Sequence, residues 1–478
     1  EAGRGLVEID SPWNIGASYR FANGIEVGAH YLYGTEAGIR LSYVLDPARP
    51  PAGPGREAAP PALLARDAVA AASWNQPGAS PALPDIVAQA LAAEGLVMEG
   101  FVPSPYRVSL RLRNERWPSY AQAVGRAARV LANTMPGTVE IFDIVIVERG
   151  VPVTSVAVTR SDLGELEVAA DGAWNMLART RLSDQPQTDR RGEPSGLYPA
   201  TEVSLRPYIA TTLFDPDSPV RADVGLQADL AYAPRPGLVF SARFRQPLGG
   251  NRDEEDRENT SVLQRVRSDA QLYARESDFE VNHLTAEYVF RPGRDVFGRV
   301  TAGYLETMYG GVSAGLLWYP VDSRLAVGAE VNAVRQRDFD MLFGFRDYET
   351  VTGHASAYYD FGNGYLGQLD VGRYLAEDWG ATFGLDREFN NGVSVGAFFT
   401  LTDVSFDDFG EGSFDKGIRL SFPTTWLTGL PDQGQIGRTI RPVLRDGGAR
   451  LEVRNRLYGM TRDARGAELS DEFGRFFR

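Results

Sequence analysis

The residues best suited to chemistry are few in this chain of 478 residues. Its three histidines, His30, His283 and His354, stand far apart, and it has no cysteine. No two histidines have the spacing of metal ligands, so the sequence predicts neither a zinc site nor a catalytic triad, and thiol chemistry is excluded. We therefore expect no cofactor, no metal and no enzyme activity.

Two glycine motifs resemble catalytic or nucleotide-binding signatures. Residues 362–367 fit G-x-G-x-x-G, but no helix follows, and Asn363-Gly364 between two alternating runs predicts a hairpin turn. Residues 311–315 fit G-x-S-x-G but open a predicted strand, whereas a nucleophile elbow needs a helix after the serine. We interpret both motifs as parts of β-hairpins.

Acidic residues cluster in one predicted loop near the end of the chain. These are Asp403, Asp407, Asp408, Glu411 and Asp415. The spacing of a calcium loop is missing, so we expect a solvated acidic loop. Among the 63 acidic residues no pair is singled out for glycoside hydrolysis.

The elements that position these residues are mainly β. Between residues 198 and 422, apolar residues such as Leu226 and Leu230 alternate with polar ones such as Gln227 and Asp229. No run of about 18 apolar residues predicts a membrane helix, whereas a membrane strand needs only about 9–11 alternating residues. We predict a transmembrane antiparallel β-barrel of about 12 strands over 198–422.

The lengths of the connections predict which end of this barrel faces the periplasm. Short turns alternate with long connections, which include 247–280, 336–349 and 403–415, and short turns are typical of the periplasmic end. Counting 264–276 as a spanning strand would give the barrel an odd number of strands and would exchange its periplasmic and outer ends. We therefore interpret 247–280 as a long outer or infolded loop.

The remaining segments have other compositions. A linker at 47–61 precedes a predicted periplasmic α+β domain at 62–185, with helices from Pro84 and Pro118, each followed by two strands. The proline-containing tail, 423–478, is predicted to be irregular and periplasmic. Residues 1–46 have their own strand pattern.

An internal repeat relates the two ends of the chain. Residues 21–29 return at 389–397, and 38–43 return at 417–422. The second copy resembles the terminal-strand signal read by the barrel-insertion machinery, through Lys416, Gly417, Leu420 and Phe422. We therefore interpret 1–46 as the last three or four strands of a first barrel, and expect its other strands upstream, since an open sheet is costly in lipid.

Several local motifs resemble one family. They are residues 303–306 (GYLE), 336–339 (QRDF), 343–348 (FGFRDY), 352–354 (TGH) and 445–448 (RDGG). Together with two barrels flanking an α+β insert, they resemble the YjbH family, which is associated with exopolysaccharide and group 4 capsule production in Gram-negative bacteria. The resemblance implies a non-enzymatic outer-membrane protein of polysaccharide export or surface assembly. A porin, a glycan-processing enzyme and a purely structural surface protein are the alternatives.

The expected partners follow from that location. They are outer-membrane lipid, exopolysaccharide, periplasmic proteins of the pathway and the insertion machinery. A net charge of −14 argues against nucleic acid. Inward polar residues are the candidates for polysaccharide contact or for ion pairs that fill the barrel: Asp229, Arg243, Arg245, Glu330, Asn332 and Arg373. Six aromatic residues near strand ends fit an interfacial girdle or sugar stacking: Trp318, Tyr319, Tyr358, Tyr359, Trp379 and Trp426.

Overall fold

The computed structural model shows a mainly β chain with three separate sheets of three, five and thirteen strands. It describes residues 9–21, 24–43, 46, 50–52, 57–66, 79–185, 190–213, 220–254, 261–405, 408, 414–441 and 446–478. Among these residues, no helix has both the length and the apolar character needed to span a bilayer.

The first sheet is an antiparallel meander of β1 (Ile15–Arg20), β2 (Ile25–Leu32) and β3 (Glu36–Tyr43). Three or four strands were predicted here. Apolar residues of this sheet are exposed, among them Ile39 at 84% and Leu41 at 74%. The assignment of this sheet to a first barrel stays a prediction.

The second sheet belongs to an α+β unit whose helices pack against it. Its elements are α1 (Ala79–Ala93), β4 (Leu96–Pro103), β5 (Arg107–Asn114), α2 (Tyr120–Thr134), β6 (Ile141–Glu148), β7 (Val151–Thr159), α3 (Arg160–Leu166), α4 (Gly172–Arg179) and β8 (Arg181–Ser183). The ladder is antiparallel except between β5 and β6. The first helix begins before Pro84, and α3, α4 and β8 were not predicted.

The large sheet is antiparallel, and its strands pair in chain order. They are β9 (Ala200–Leu213), β10 (Val220–Arg235), β11 (Leu238–Gly250), β12 (Glu280–Gly293), β13 (Val296–Tyr304), β14 (Tyr309–Trp318), β15 (Leu325–Arg337), β16 (Phe345–Gly362), β17 (Tyr365–Arg373), β18 (Trp379–Glu388), β19 (Ser394–Thr402), β20 (Asp415–Pro423) and β21 (Gln435–Ile440). A short α6 (Thr424–Thr428) precedes β21. Twelve strands lie within 198–422, but the tail adds a thirteenth, so the count of about 12 was one short.

The two edge strands of this sheet come together. The Arg438 guanidinium on β21 donates a hydrogen bond of 2.7 Å to the Thr211 carbonyl on β9. Because β9 and β21 are the first and last strands of the ladder, this contact shows that the sheet curls through its whole width.

In the curled sheet the apolar residues are exposed and the polar residues are buried, the reverse of the distribution in a soluble protein. On β10, Val224 and Leu226 are 50% and 43% exposed, whereas Asp223 and Gln227, which flank them, are buried. On β15, Val331 is 57% exposed and its neighbour Asn332 is buried. The apolar stripe therefore faces outward and the polar stripe inward, a distribution typical of membrane barrels.

A loop and the tail occupy the inside of the sheet. Residues 264–276 form no strand; they contain α5 (Ala270–Glu276), and Tyr273 is buried against Leu305 and Leu451 of the same apolar cluster. Residues 264–276 of the predicted connection 247–280 therefore fold inward, one of the two forms predicted, whereas residues 247–250 belong to β11.

The tail was wrongly expected to be irregular. After β21, residues 446–456 contact the concave face, and α7 (Leu457–Thr461), a turn of 3₁₀ helix at 462–464, α8 (Gly466–Asp471) and a second 3₁₀ turn at 473–475 continue toward the α+β unit. A Cβ atom on Gly125 of α2 would lie 1.7 Å from the Phe476 carbonyl oxygen, so only glycine admits this approach.

The α+β unit covers the short-turn end of the large sheet. The Gly237 N–H donates to the Arg149 carbonyl at 3.1 Å, which joins the β10–β11 turn to the β6–β7 turn. Val289 and Phe297 of the sheet share one apolar core with Val153 of the unit. This core connects the two sheets through the end of the chain, because it also contains Phe473 and Phe476.

Candidate functional site

The polar interior is built around the buried carboxylate of Glu330 on β15. Its oxygens lie 3.3 Å from a nitrogen of Arg299 on β13 and 3.2 Å from Nε of Arg456 in the tail. A third guanidinium, that of Arg450, is 3.7 Å away. Three positive charges therefore converge on one carboxylate, and two of them belong to the tail.

Neighbouring side chains extend this cluster along the interior. Arg450 also binds Asp370 of β17 at 2.7 Å, and Asp370 accepts a hydrogen bond from Ser356 at 2.5 Å. Asn332 donates to Thr352 at 3.0 Å and to Glu330 at 3.4 Å. The polar groups of strands β15 to β17 thus bind one another and the tail.

A second cluster surrounds Asp229 on β10. This carboxylate accepts hydrogen bonds from Arg243 at 2.5 Å, Arg206 at 3.0 Å and Gln227 at 2.8 Å. Arg245 donates to Gln227 at 2.8 Å and lies 4.8 Å from the centroid of the Tyr208 ring. Of the six predicted inward residues, five lie on the inner face, in these two clusters.

Arg373 is the exception, because it lies on the other face. It follows Leu369 and Val371 at two-residue spacing on β17, and both are exposed. Its guanidinium binds the Val351 carbonyl at 2.9 Å and Glu377 at 3.0 Å. The prediction that Arg373 points inward was wrong, because Arg373 lies on the same face of β17 as Leu369 and Val371.

The tail arginines were not predicted as part of the site. Arg450, Arg454 and Arg456 alternate with Leu451 and Val453, both buried. Arg454 reaches Ser241 on β11 at 2.7 Å and His283 Nδ1 on β12 at 3.2 Å. This period-two alternation was the available signal of an extended segment with one polar and one apolar side.

Neither inner-face histidine forms part of a metal cluster. His283 contacts Arg454, and the His354 ring packs edge-on to Tyr374 with centroids 4.7 Å apart. Within the described ranges, no group of three or more histidine, aspartate and glutamate side chains is placed to hold a metal ion. Asp407 and Glu411 of the predicted acidic loop lie outside those ranges.

The glycine motifs form hairpin structure. Asn363 and Gly364 have φ values of 54° and 75°, as a two-residue turn between β16 and β17 requires. Residues 311–315 lie inside β14. Neither motif has the helix that its chemical function would need.

The aromatic residues divide between the two faces. Trp318, Tyr359 and Trp379 are exposed on the outer face at 47%, 44% and 60%. Tyr358 is buried and stacks on Tyr458 of the tail, with centroids 4.0 Å apart and planes at 4°. Tyr319 and Trp426 are also buried, so these three rings are not available for a girdle or for stacking on sugar.

The strand carrying Lys416, Gly417, Leu420 and Phe422 is not the last of the sheet. Gln435–Ile440 pairs with its far edge, placing Leu420 opposite Arg438 and Phe422 opposite Ile436. The assignment of 416–422 as the terminal strand was therefore wrong. A role of these residues in insertion stays a prediction.

Carboxyl groups are also buried where the tail meets the α+β unit. Burial raises the pKa of Glu148, Glu468 and Glu472 to about 7. The Tyr120 hydroxyl donates a hydrogen bond to Glu148, and Arg462 lies 3.2 Å from Glu468. These groups bind protons more tightly in the folded than in the unfolded chain.

We expect this contact to weaken as the pH rises. A carboxyl group with a raised pKa stabilises the fold below its unfolded pKa, and this stabilisation is lost between about pH 4.5 and 7. The combined Glu148→Gln, Glu468→Gln and Glu472→Gln variant should therefore lose less stability than wild type between pH 5 and 8 in thermal unfolding. Glu165→Gln, which changes an exposed carboxylate, is the control. Equal losses in wild type and the triple variant would contradict this assignment.

The sequence matches a known family over nearly its whole length. The profile of the family described as exopolysaccharide biosynthesis protein YbjH covers residues 2–463. The chain belongs to this family. It is also 29% identical over 482 residues to the uncharacterized lipoprotein YjbH of Escherichia coli (strain K12), covering 96% of this chain. The chain spans 66% of the length of that relative.

The chain also has a weak similarity to a solved structure. It is the crystal structure of Pseudomonas aeruginosa OccK11 (OpdR), with a TM-score of 0.29 and 13% identity, covering 62% of this chain and 82% of that one. Family membership confirms the resemblance derived from the motifs and connects the chain with exopolysaccharide biosynthesis.

Proposed function

We propose that this chain is a non-enzymatic outer-membrane protein of exopolysaccharide or capsule export or surface assembly. The single observation that carries the proposal is the reversed burial of the large sheet, with apolar residues exposed and charged residues inside. The contact between Arg438 and Thr211 supports a closed transmembrane barrel, because backbone groups at an open edge cannot be satisfied by lipid.

The orientation follows from the two ends of the sheet. Most connections at the end covered by the α+β unit are short turns, and longer connections such as 251–279 lie at the other end. The exception is the longer connection 424–434, which contacts the α+β unit through a hydrogen bond from Gln433 to the Trp117 carbonyl. Short turns are typical of the periplasmic end, so the α+β unit is assigned to the periplasm. There it would bind proteins of the same pathway.

The filled interior favours an anchor over a pore. Tail residues 446–456 and the loop containing α5 pack against the inner face, and Arg450 and Arg456 bind inner-face carboxylates. A porin needs an aqueous channel through this space. We therefore favour a role in surface assembly or docking, and place the diffusion porin second.

Two experiments test the proposal. The purified full chain should require detergent and migrate differently on unheated and heated gels, as folded membrane barrels do. Deletion of the gene should reduce secreted exopolysaccharide, and wild type should restore it. A chain that is monomeric in detergent-free buffer, or secretion that is unchanged by deletion, would refute the membrane role or the pathway role respectively. Ohmic conductance of wild type in planar bilayers would support the porin instead.

A further inference from the structure

The tail does not fill the whole space inside the large sheet. A cavity of about 410 Å³ remains at the short-turn end, bounded by the inner face of β17 to β21 and by Arg462 of the tail. Gly364 of the β16–β17 turn and Ser394 at the start of β19 line it. Its volume lies within the range of about 300–1,000 Å³ that is typical of small-ligand sites. No member of the Glu330 or Asp229 cluster lines this cavity.

The charged groups that line the cavity already have partners. Arg419 on β20 binds both oxygens of the Asp386 carboxylate on β18, at 2.9 and 2.7 Å. Arg462 binds Glu388 of the same strand at 2.7 Å. The fifth charged residue, Arg438, directs its guanidinium to β9. A charged ligand would therefore lack an opposite charge unless it displaced one of these partners, which costs free energy.

Uncharged hydrogen-bonding groups complete the lining. The ladder aligns Ser394 of β19 with Ser421 of β20, so both hydroxyl groups lie in one row of the wall. Thr439 of β21 lies nearby on the same wall. Within the described residues, the hydroxyl groups of Ser394 and Thr439 have no hydrogen-bond partner. Each can donate one hydrogen bond and accept others, so both are available to a ligand.

A glycine keeps the wall open at the edge strand. Gly437 on β21 continues the row of Ser394 and Ser421. A Cβ atom at this position would lie 3.7 Å from its nearest contact, the Leu420 carbonyl oxygen, which is an ordinary van der Waals distance. A larger side chain at position 437 could therefore extend into the cavity without moving the backbone.

We propose that this cavity binds uncharged sugar residues of the exopolysaccharide at the periplasmic mouth of the barrel. Sugar hydroxyl groups both donate and accept hydrogen bonds, so they match the unpaired hydroxyl groups of the wall and leave its ion pairs intact. An apolar ligand would leave these polar groups without partners. The inference rests on the proposed function, because the connection with exopolysaccharide singles out a saccharide among neutral polar ligands.

Isothermal titration calorimetry of the purified full chain tests this inference, in a detergent without a sugar headgroup. The probes are fragments from partial hydrolysis of the exopolysaccharide secreted by the producing strain, separated by anion exchange into an uncharged and an acidic pool. Wild type should bind the uncharged pool preferentially. Thr439→Val removes one hydroxyl group with little change in shape and should weaken this binding about fivefold. Gly437→Phe should abolish it by filling the cavity.

Gly249→Phe is the matched control for the larger side chain. Gly249 lies on β11 at the long-connection end, where a Cβ atom would have no neighbour within 4 Å. This variant should bind the uncharged pool as wild type does. Gel mobility of unheated and heated samples shows which variants have folded. If Gly437→Phe does not fold, the affinity of Thr439→Val decides.

Several outcomes would overturn the inference. They are equal or stronger binding of the acidic pool, binding of neither pool, and wild-type affinity in folded Gly437→Phe or in Thr439→Val. Deletion of the gene separates this failure from that of the proposed function. A chain that restores secretion but binds neither pool refutes only the sugar site, whereas secretion that is unchanged by deletion contradicts the proposed function itself.

Discussion

Replacing Arg465 with methionine should lower the free energy of unfolding by about 3 kcal/mol, because the change removes one partner from a buried ion-pair network. The Arg465 side chain has no exposed surface. It donates to the Val153 carbonyl at 2.7 Å and to Asp184 and Asp295 at 3.0 Å each. It also bonds to the Tyr319 carbonyl, and so joins the tail, the α+β unit and two turns of the large sheet.

The matched control for this change is Arg294→Met. Arg294 is 83% exposed and lies 3.5 Å from the same Asp295 carboxylate, so its loss should cost less than about 1 kcal/mol. Urea unfolding of the refolded proteins in detergent gives both values. Equal costs for the buried and the exposed arginine would show that the junction does not depend on Arg465.

Replacing Glu330 with glutamine should release the tail from the interior. The change removes the negative charge on which Arg299, Arg450 and Arg456 converge, and leaves one buried and two partly buried guanidinium groups close together. Breaking such a cluster costs about 3–5 kcal/mol. We expect residues 446–456 to become susceptible to trypsin, and conductance events to appear in planar bilayers where wild type shows none.

Glu377→Gln serves as the control for Glu330. Glu377 is 48% exposed and binds Arg373 at 3.0 Å on the outer surface, so its loss should change neither cleavage nor conductance. If Glu330→Gln resists trypsin as wild type does, the tail does not depend on this ion cluster for its position.

Local patterns in the sequence were enough to predict the strands of the large sheet. Alternation at Leu226 to Leu230, for example, requires a strand, because it repeats every two residues, and short turns such as 363–364 fix the connections. The alternation of short and long connections, together with an even number of strands, indicated that 264–276 is not a spanning strand. Local patterns did not predict β21, which has only six residues and follows prolines at 423 and 431.

The position of the tail could not be predicted, because it depends on contacts between distant residues. Arg456 and Glu330 are 126 residues apart, and Arg465 and Asp184 are 281 apart. In a sequence, Arg450, Arg454 and Arg456 are typical of a solvated segment, and their half-buried positions depend on acidic and neutral polar groups of the inner face that are distant in the chain. For Arg373 the error was the opposite one: it was predicted to face inward but lies on the outer face. A charged residue at a strand end can lie on the apolar face of a sheet.

The central claim is that the outer face of the large sheet contacts acyl chains, and the absence of cysteine allows a direct test by spin labelling. Cysteine variants at Val224, Leu226, Gln227 and Asp229 would each carry one nitroxide. If this face contacts lipid, labels at Val224 and Leu226 should collide more often with oxygen than with a nickel chelate. Labels at Gln227 and Asp229 should not show this preference. Preferential collision with the nickel chelate at Val224 and Leu226 in lipid vesicles would place that face in water and contradict the membrane assignment.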